Sequence, residues 1–388
     1  ILYRSNAQSR VLEHALFSAG IPYRVYGGLR FFERQEVKHA LAYLRLIANS
    51  DDDTAFTRVV NFPTRGIGAR SLEALQDAAR TWNTPLYQTV PHLSGKPGSS
   101  LAQFVVLIER MRSETRALSL PEMVEYVIEV SGLRAHYRAE KEGQERLENL
   151  DELVNAAANF SAEVGAGQAP GESSSAADSV LAEFLAHASL EAGDHQADAG
   201  AEAVQLMTVH AAKGLEFDVV FLTGLEEGLF PHENSAQEAD GLEEERRLMY
   251  VAVTRARQRL YLSFTQSRML HGQVRYNLRS RFLEEIPEGL TKWLTPPNPR
   301  RSFAPEPSAR YYNPGAAKPA MAAMPAPPPM KSRDLGGLRI GQSVRHARFG
   351  DGVIVSAEGS GNDARVQVKF AEAGSKWLML SVAKLTAV

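Results

Sequence analysis

Four short stretches of this sequence gather residue types that can bind phosphate. In "VQLMTVHAAKGLEF" a β-type run ends at Thr208 and His210, and a small-residue turn follows with Lys213, Gly214 and Glu216. A hydroxyl, an imidazole and an ammonium at the carboxyl end of a strand in an open α/β sheet can each hydrogen-bond phosphate. The same residues also read as a strand cap followed by a turn. They do not form a P-loop: no G-x-x-x-x-G-K-[ST] occurs in the chain, and "SGKPGSS" lacks its glycine spacing.

The second stretch, "EEERRLMYVAVTRAR" (Glu243–Arg257), reads as one helix. On a 3.6-residue period Glu244, Leu248, Val251 and Arg255 share a stripe, which places Arg255 on the inward face. A guanidinium there can cap the last helix carbonyls. It can equally act as an arginine finger, a fixed charge that stabilises a γ-phosphate in the transition state. Spacing leaves both readings open. In "NFPTRGIGARSLEAL" two helices meet at a turn of Thr64, Arg65, Gly66, Ile67 and Gly68. Consecutive backbone N–H groups and a helix N-terminus could receive a DNA phosphate, or the turn could be an ordinary connection. The last stretch, from Gly341 onward, has short alternating runs separated by Gly, Asp and Asn, which predict a small SH3-like or Tudor-like barrel. Arg345, Arg348, Phe349, Lys369, Lys376 and Trp377 could line a binding surface on it, although the aromatics are expected in its core.

The elements that would hold these residues follow from composition and period. With 388 residues, 44% hydrophobic and 23% charged, the chain suits two to four soluble domains. No run of about 18 apolar residues spans a membrane. The absence of cysteine excludes disulfides, zinc-thiolate sites and thiol nucleophiles, and no metal-ligand spacing is evident. Net charge is −3, so whole-chain charge neither requires nor excludes nucleic acid; from Gly337 onward, however, seven Lys/Arg face four Asp/Glu. Strand, helix and strand patterns occupy residues 1–27 and return after about 200, whereas 28–200 is helical in spacing almost throughout. This predicts an α/β domain with a parallel sheet, built from 1–27 and 201–295 and interrupted by a mostly α-helical insertion at 28–200. "VGAGQAPGESSSAADS" (164–179) reads as a linker inside the insertion. The Pro/Ala-rich 296–337 reads as a disordered tether before the barrel at 338–388. The chain opens on Ile1, already within a strand pattern, so a fragment with sequence upstream is expected.

Together, "LYRSNAQSRVLEHAL", "YGGLRFFERQEVKHALAYLRLI", "PTRGIG", "VQLMTVHAAKGLEF", "EEGLFP" and "EEERRLMYVAVTRAR" resemble, in order, the C-terminal half of superfamily 1 DNA helicases of the UvrD/PcrA/Rep family. The resemblance covers most of residues 1–290, and a barrel after a Pro-rich tether is similar to the UvrD and PcrA branches. It implies an ATP-driven 3′ to 5′ DNA translocase acting in DNA repair, of the nucleotide-excision and mismatch type. Residues 1–27 and 201–295 would form the second RecA-like motor domain. By motif position Arg255 would reach the γ-phosphate of ATP and Glu216 would lie near its ribose. Arg4, Asn6, Thr208 and His210 would hold single-stranded DNA, and Thr64 to Gly68 would grip duplex DNA at the single-strand/duplex junction. His271 stands at the tip of the hairpin where the family commonly has an aromatic wedge. The barrel, through Arg345, Arg348, Lys369 and Lys376, would contact RNA polymerase, and other repair proteins are further expected partners.

The resemblance places the P-loop and the Mg2+ ligands in a first motor domain outside this sequence, so the fragment alone is expected to be inactive. A bacterial cytosolic, nucleoid-associated protein is expected. Two other readings stand beside this one. The chain could be a DNA- and RNA-polymerase-binding module without ATPase activity, or the motor half of a helicase-nuclease, which would need a carboxylate-rich nuclease domain where the tether and barrel follow.

Overall fold

A computed structural model describes residues 1–141, 143–165, 176–192, 202–238, 240–270, 273–295, 338–359, 361, 364–370 and 373–387. The Pro/Ala-rich 296–337 lies outside the described residues. The chain forms two compact units, Ile1–Phe282 and Leu283–Val388.

In the first unit five parallel strands make one sheet: β1 (Leu2–Tyr3), β2 (Tyr23–Tyr26), β3 (Val204–Thr208), β4 (Phe217–Leu222) and β5 (Ala256–Leu262), in the order β2-β3-β1-β4-β5. The central β1 is short, yet it fixes the register of its neighbours, since Leu2 stands opposite both Met207 and Leu222. Tyr3, Tyr23, Val25 and Leu206 form a small cluster against the Ser9–Ser18 helix residues Leu12 and Leu16. That helix stops at Gly20, whose φ of 65° suits a residue without Cβ.

Between β2 and β3 lie helices almost exclusively, as the 3.6-residue spacing predicts. Gln35–Ala48 is buried nearly all round and forms the hub of a separate core that includes Tyr43, Phe56, Phe104, Val127, Tyr137 and Leu153. Its neighbours begin where the sequence supplies caps. Asp52 accepts the Ala55 N–H at 2.9 Å, and Ser119 with Glu122 forms a capping box before Leu120–Val130. The Ala176–Glu191 helix takes in the last residues of the segment expected to be a linker.

After β5 an antiparallel hairpin, β6 (Ser267–Leu270) and β7 (Gln273–Tyr276), closes the first unit. The second unit contains β8 (Ser343–His346), β9 (Gly350–Glu358), β10 (Arg365–Phe370), β11 (Gly374–Met379) and β12 (Leu385–Ala387), all antiparallel in the order β11-β10-β9-β8-β12. Val344, Ile354, Val366, Val368 and Phe370 fill it. The α/β class and the small antiparallel barrel agree with the sequence pattern.

One element differs from expectation. The helix of "EEERRLMYVAVTRAR" spans Gly241–Val253 and stops before Arg255. The Thr254 hydroxyl bonds back to the Tyr250 and Val251 carbonyls, and β5 starts two residues later. Arg255 therefore sits in the helix-to-strand turn and not on a helical stripe. The acid buried beneath the helix is Glu245, while Glu244 is exposed.

Candidate nucleotide and nucleic-acid site

Parallel strands give the sheet two chemically distinct edges. Thr208 ends β3, and Arg4, Asn6 and His210 follow the carboxyl ends of β1 and β3, whereas Glu216 and Arg255 immediately precede β4 and β5 at the amino edge. The "HAAKGLE" segment thus crosses from one edge to the other, and only its first part occupies the strand-end position inferred from the sequence. It does so by winding. The N–H of Ala212 donates to the Thr208 carbonyl, that of Lys213 to His210 and that of Leu215 to Ala212. The Lys213 side chain is exposed.

At the amino edge Glu216 and Arg255 are brought together by backbone and side chain alike. The Phe217 N–H donates to the Arg255 carbonyl at 2.9 Å, and Arg255 Nη1 donates to the Leu215 carbonyl at 2.7 Å. Arg255 Nε donates to the Val251 carbonyl at 3.0 Å and Nη2 to the Thr254 hydroxyl at 3.0 Å. The helix-end cap that the sequence left open is therefore formed. All three partners are neutral, and among the described residues no carboxylate lies within ion-pair reach of Arg255, so its charge is held in place without being neutralised. Glu216 is exposed beside it.

At the carboxyl edge the side chains are tied into a network. Arg4 donates to both oxygens of Glu245, at 2.6 and 3.0 Å, with Glu245 only 1% exposed. Burial acts to raise the Glu245 pKa, but the Arg4 bond and charge with the His232 N–H outweigh it, and the carboxyl is held below its ordinary value. Thr208 Oγ1 accepts the Ala211 N–H at 3.2 Å. His210 is exposed, and partial burial of its ring together with the Arg4 charge lowers its pKa, keeping the imidazole neutral at physiological pH.

The network continues into the Gly143–Gly165 helix, whose Glu145, Glu148 and Glu152 lie three and four residues apart on one face. Asn6 donates to Glu145, Ser5 to Glu148 at 2.6 Å and Arg10 to Glu152 at 2.5 Å, while His232 Nε2 pairs with Glu148 at 3.1 Å. Sequence reasoning did not find this acidic row. Its only local sign is the E-x-x-E-x-x-x-E spacing, and its partners lie far away in sequence, Ser5, Asn6 and Arg10 before the helix and His232 after it. At the point where the helical segment leaves the sheet, Gly27 has φ 78°, and a Cβ there would stand 2.7 Å from the Ala211 Cβ. The exit from the sheet is thus packed against the turn after Thr208, and only glycine fits.

In the Thr64–Gly68 turn, Asn61 Oδ1 accepts the N–H groups of both Arg65 (2.8 Å) and Ile67 (3.1 Å). Those two amides are therefore already committed and do not face an incoming anion. The Arg65 guanidinium also turns inward, bonding the carbonyls of Val59, Pro63 and Ser131 and stacking on Tyr43 and Phe104. Ile67 is buried, which leaves Thr64, Gly66 and Gly68 exposed, together with Arg70 on the next helix. His271 lies outside the described residues. The β6–β7 hairpin is anchored by Glu226, whose carboxylate, 2% exposed, accepts from Thr265 N–H and Oγ1, Arg268 and Asn277.

On the barrel the named basic residues do not form one patch. Val368 stands opposite Lys376, so Lys376 shares the face of the core residue, while Lys369 points to the other side. Arg345 is paired with Asp351 at 2.7 Å, and Arg348 stacks on the half-buried Phe349. Trp377, expected in the core, is 39% exposed with the Arg365 guanidinium 5.8 Å from its ring centre. Arg365 belongs to this surface although the sequence did not single it out.

Residues 1–267 match the family described as UvrD-like helicase C-terminal domain, and 340–386 match the PcrA/UvrD tudor domain. Fold and site thus define the class: an α/β helicase motor domain accompanied by a tudor-type barrel. The chain belongs to the UvrD-like helicase C-terminal domain family. It is 47% identical to DNA helicase II of Escherichia coli strain K12, over 100% of this chain and 51% of that protein. It is 38% identical to the ATP-dependent DNA helicase PcrA of Bacillus subtilis strain 168 (99% and 52%). It is 39% identical to the ATP-dependent DNA helicase UvrD1 of Mycobacterium bovis (100% and 51%). The chain spans about half the length of the curated relatives it matches.

Proposed function

We propose that this chain is the C-terminal half of an ATP-dependent 3′ to 5′ DNA helicase and translocase that works in DNA repair in the bacterial cytosol. The observation that carries the reading is the unneutralised guanidinium of Arg255, fixed beside Glu216 at one edge of a sheet whose other edge bears Arg4, Asn6, Thr208 and His210. In this reading ATP is the substrate and binds against the amino edge, with Arg255 contributing charge to the γ-phosphate and Glu216 bonding the ribose. The P-loop lysine and the Mg2+ ligands belong to a partner motor domain, because the chain has no G-x-x-x-x-G-K-[ST]. Hydrolysis therefore needs residues beyond this sequence, and the 388-residue chain by itself turns over no ATP.

The neutral His210 and the Thr208 hydroxyl suit hydrogen bonds to a single strand. Arg4, committed to Glu245, acts there through its remaining field and by holding the turn. Thr64, Gly66 and Gly68 contact the duplex side of a junction, the hairpin bearing His271 separates strands, and the barrel binds a protein partner such as RNA polymerase or another repair protein. Among the described residues no helix is long and apolar enough to cross a membrane.

Arg255→Ala in the full-length protein tests the reading. ATP turnover is expected to fall to background while single-strand affinity stays within several-fold. Unchanged turnover would remove Arg255 from the nucleotide site.

A further inference from the structure

Away from both edges, three metal-ligating side chains converge from two helices. His14 lies on Ser9–Ser18, next to the sheet, and His187 and Glu191 lie on Ala176–Glu191, the last helix of the helical segment. One nitrogen from each imidazole and a carboxylate oxygen all fall within 4.8 Å of one another. His14 Nδ1 is 2.6 Å and His187 Nε2 3.3 Å from the same Glu191 oxygen. Glu191 is 8% exposed.

We propose that His14, His187 and Glu191 form a binding site for a divalent transition-metal ion of the zinc class, which would staple the sheet-side helix to the end of the helical segment. The chemistry of the donors favours this. Two imidazole nitrogens and one carboxylate oxygen are a set that zinc takes up at about 2.0–2.2 Å, whereas Mg2+ and Ca2+ prefer all-oxygen shells. Around a tetrahedral ion such donors stand about 3.3 Å apart, close to the 2.6 and 3.3 Å that already separate the two imidazole nitrogens from the Glu191 oxygen. The i, i+4 spacing of His187 and Glu191 puts both on one helical face, the geometry of paired ligands in helical zinc motifs. His14 supplies the third bond from the opposite helix.

The surroundings permit the charge. The exposed Glu163 adds negative charge near His14, and water would supply the fourth ligand. Arg10, the cation that also reaches His14, is ion-paired with Glu152. The Phe160 ring, 5.3 Å from that of His187, covers one side. The site uses none of the residues assigned to nucleotide or DNA.

The test uses the intact protein, stripped by a chelator and titrated with Zn2+ alone, with Co2+ as a spectroscopic substitute. Wild type is expected to bind an ion that is lost, or weakened by more than the roughly 10- to 100-fold typical of a supporting residue, in His187→Ala. Cobalt loading should give visible ligand-field bands absent from the variant. Glu191→Gln, which keeps the hydrogen-bonding shape, should weaken binding likewise, so a folding defect in one variant does not decide the question. In a 15N-imidazole spectrum Zn2+ should shift Nδ1 of His14 and Nε2 of His187. Equal Zn2+ binding by wild type and both variants, or no Zn2+ binding by wild type, would overturn the proposal.

Discussion

Replacing Glu226 by glutamine should loosen the β6–β7 hairpin while leaving the parallel sheet intact. The Glu226 carboxylate accepts from Thr265 N–H and Oγ1 at 2.8 Å, from Arg268 at 3.0 and 3.1 Å and from Asn277 at 2.9 Å. Glutamine keeps one acceptor oxygen but turns an NH2 toward donors, so at least one bond is lost and the Arg268 ion pair becomes a neutral contact. Breaking a fully buried pair costs about 3–5 kcal/mol, and a hydrogen bond to a charged group contributes about 1.5–3 kcal/mol. Arg268 is 28% exposed and can recover water, which brings the expected loss to about 2–3 kcal/mol. Because these contacts hold the hairpin and not the sheet, the loss appears as local opening. At tenfold per 1.4 kcal/mol, amide protection across Ser267–Leu270 and Gln273–Tyr276 should fall roughly 30- to 150-fold. Hydrogen exchange read by mass spectrometry on matched peptides measures this, with β3 and β4 as internal controls. Unchanged hairpin exchange would refute the anchoring role, and an equal loss of protection in β3 and β4 would show that Glu226 supports the whole fold.

Two further outcomes follow from the geometry. Asn61→Ala removes the acceptor shared by the Arg65 and Ile67 amides, so duplex-junction binding should weaken and its salt dependence become shallower, with stability down by about 1–2 kcal/mol; an unaltered salt slope in fluorescence anisotropy would count against the turn as a phosphate contact. His39 is buried with Nδ1 hydrogen-bonded to the Tyr137 hydroxyl at 2.9 Å, and burial, aided by Arg58, His136 and Arg146, lowers its pKa from 6.5 to about 4. The unfolded chain therefore binds this proton first, so stability is full above about pH 6.5 and declines as the pH falls toward about 4. In urea titrations His39→Asn should flatten that part of the profile relative to wild type, and identical profiles would show that His39 is not its source.

How much of this was legible in the sequence depends on range. The strands around Tyr23, Met207 and Val220, the helices of the segment between them and the alternating barrel strands follow from local period, and the structure forms them. The end of the Gly241–Val253 helix was not legible, because "VAVTRAR" contains neither glycine nor proline and its apolar spacing fits helix and strand equally. The Thr254 hydroxyl and the pairing of β5 with β4 decide it. Likewise the Thr64–Gly68 turn reads as a set of backbone N–H groups open to a phosphate, and only the fold shows two of them taken by Asn61 and the Arg65 guanidinium turned onto Tyr43 and Phe104. The Glu145, Glu148 and Glu152 row depends on partners that no local window contains. Trp377 was misplaced for a related reason: alternation assigns a face, but not whether a neighbouring strand covers it.

The contact between Gly27 and Ala211 has a mechanical consequence. Gly27 ends the strand from which the helical segment departs, and Ala211 donates its amide to Thr208. A Cβ on Gly27 would stand 2.7 Å from the alanine methyl, so the chain's exit from the sheet and the turn after Thr208 have no room for a side chain between them. A side chain introduced at position 27 would therefore push apart the start of the helical segment and the loop that carries His210. Under the proposed function, in which His210 bonds a single strand, one methyl group added at position 27 would be enough to disturb that grip.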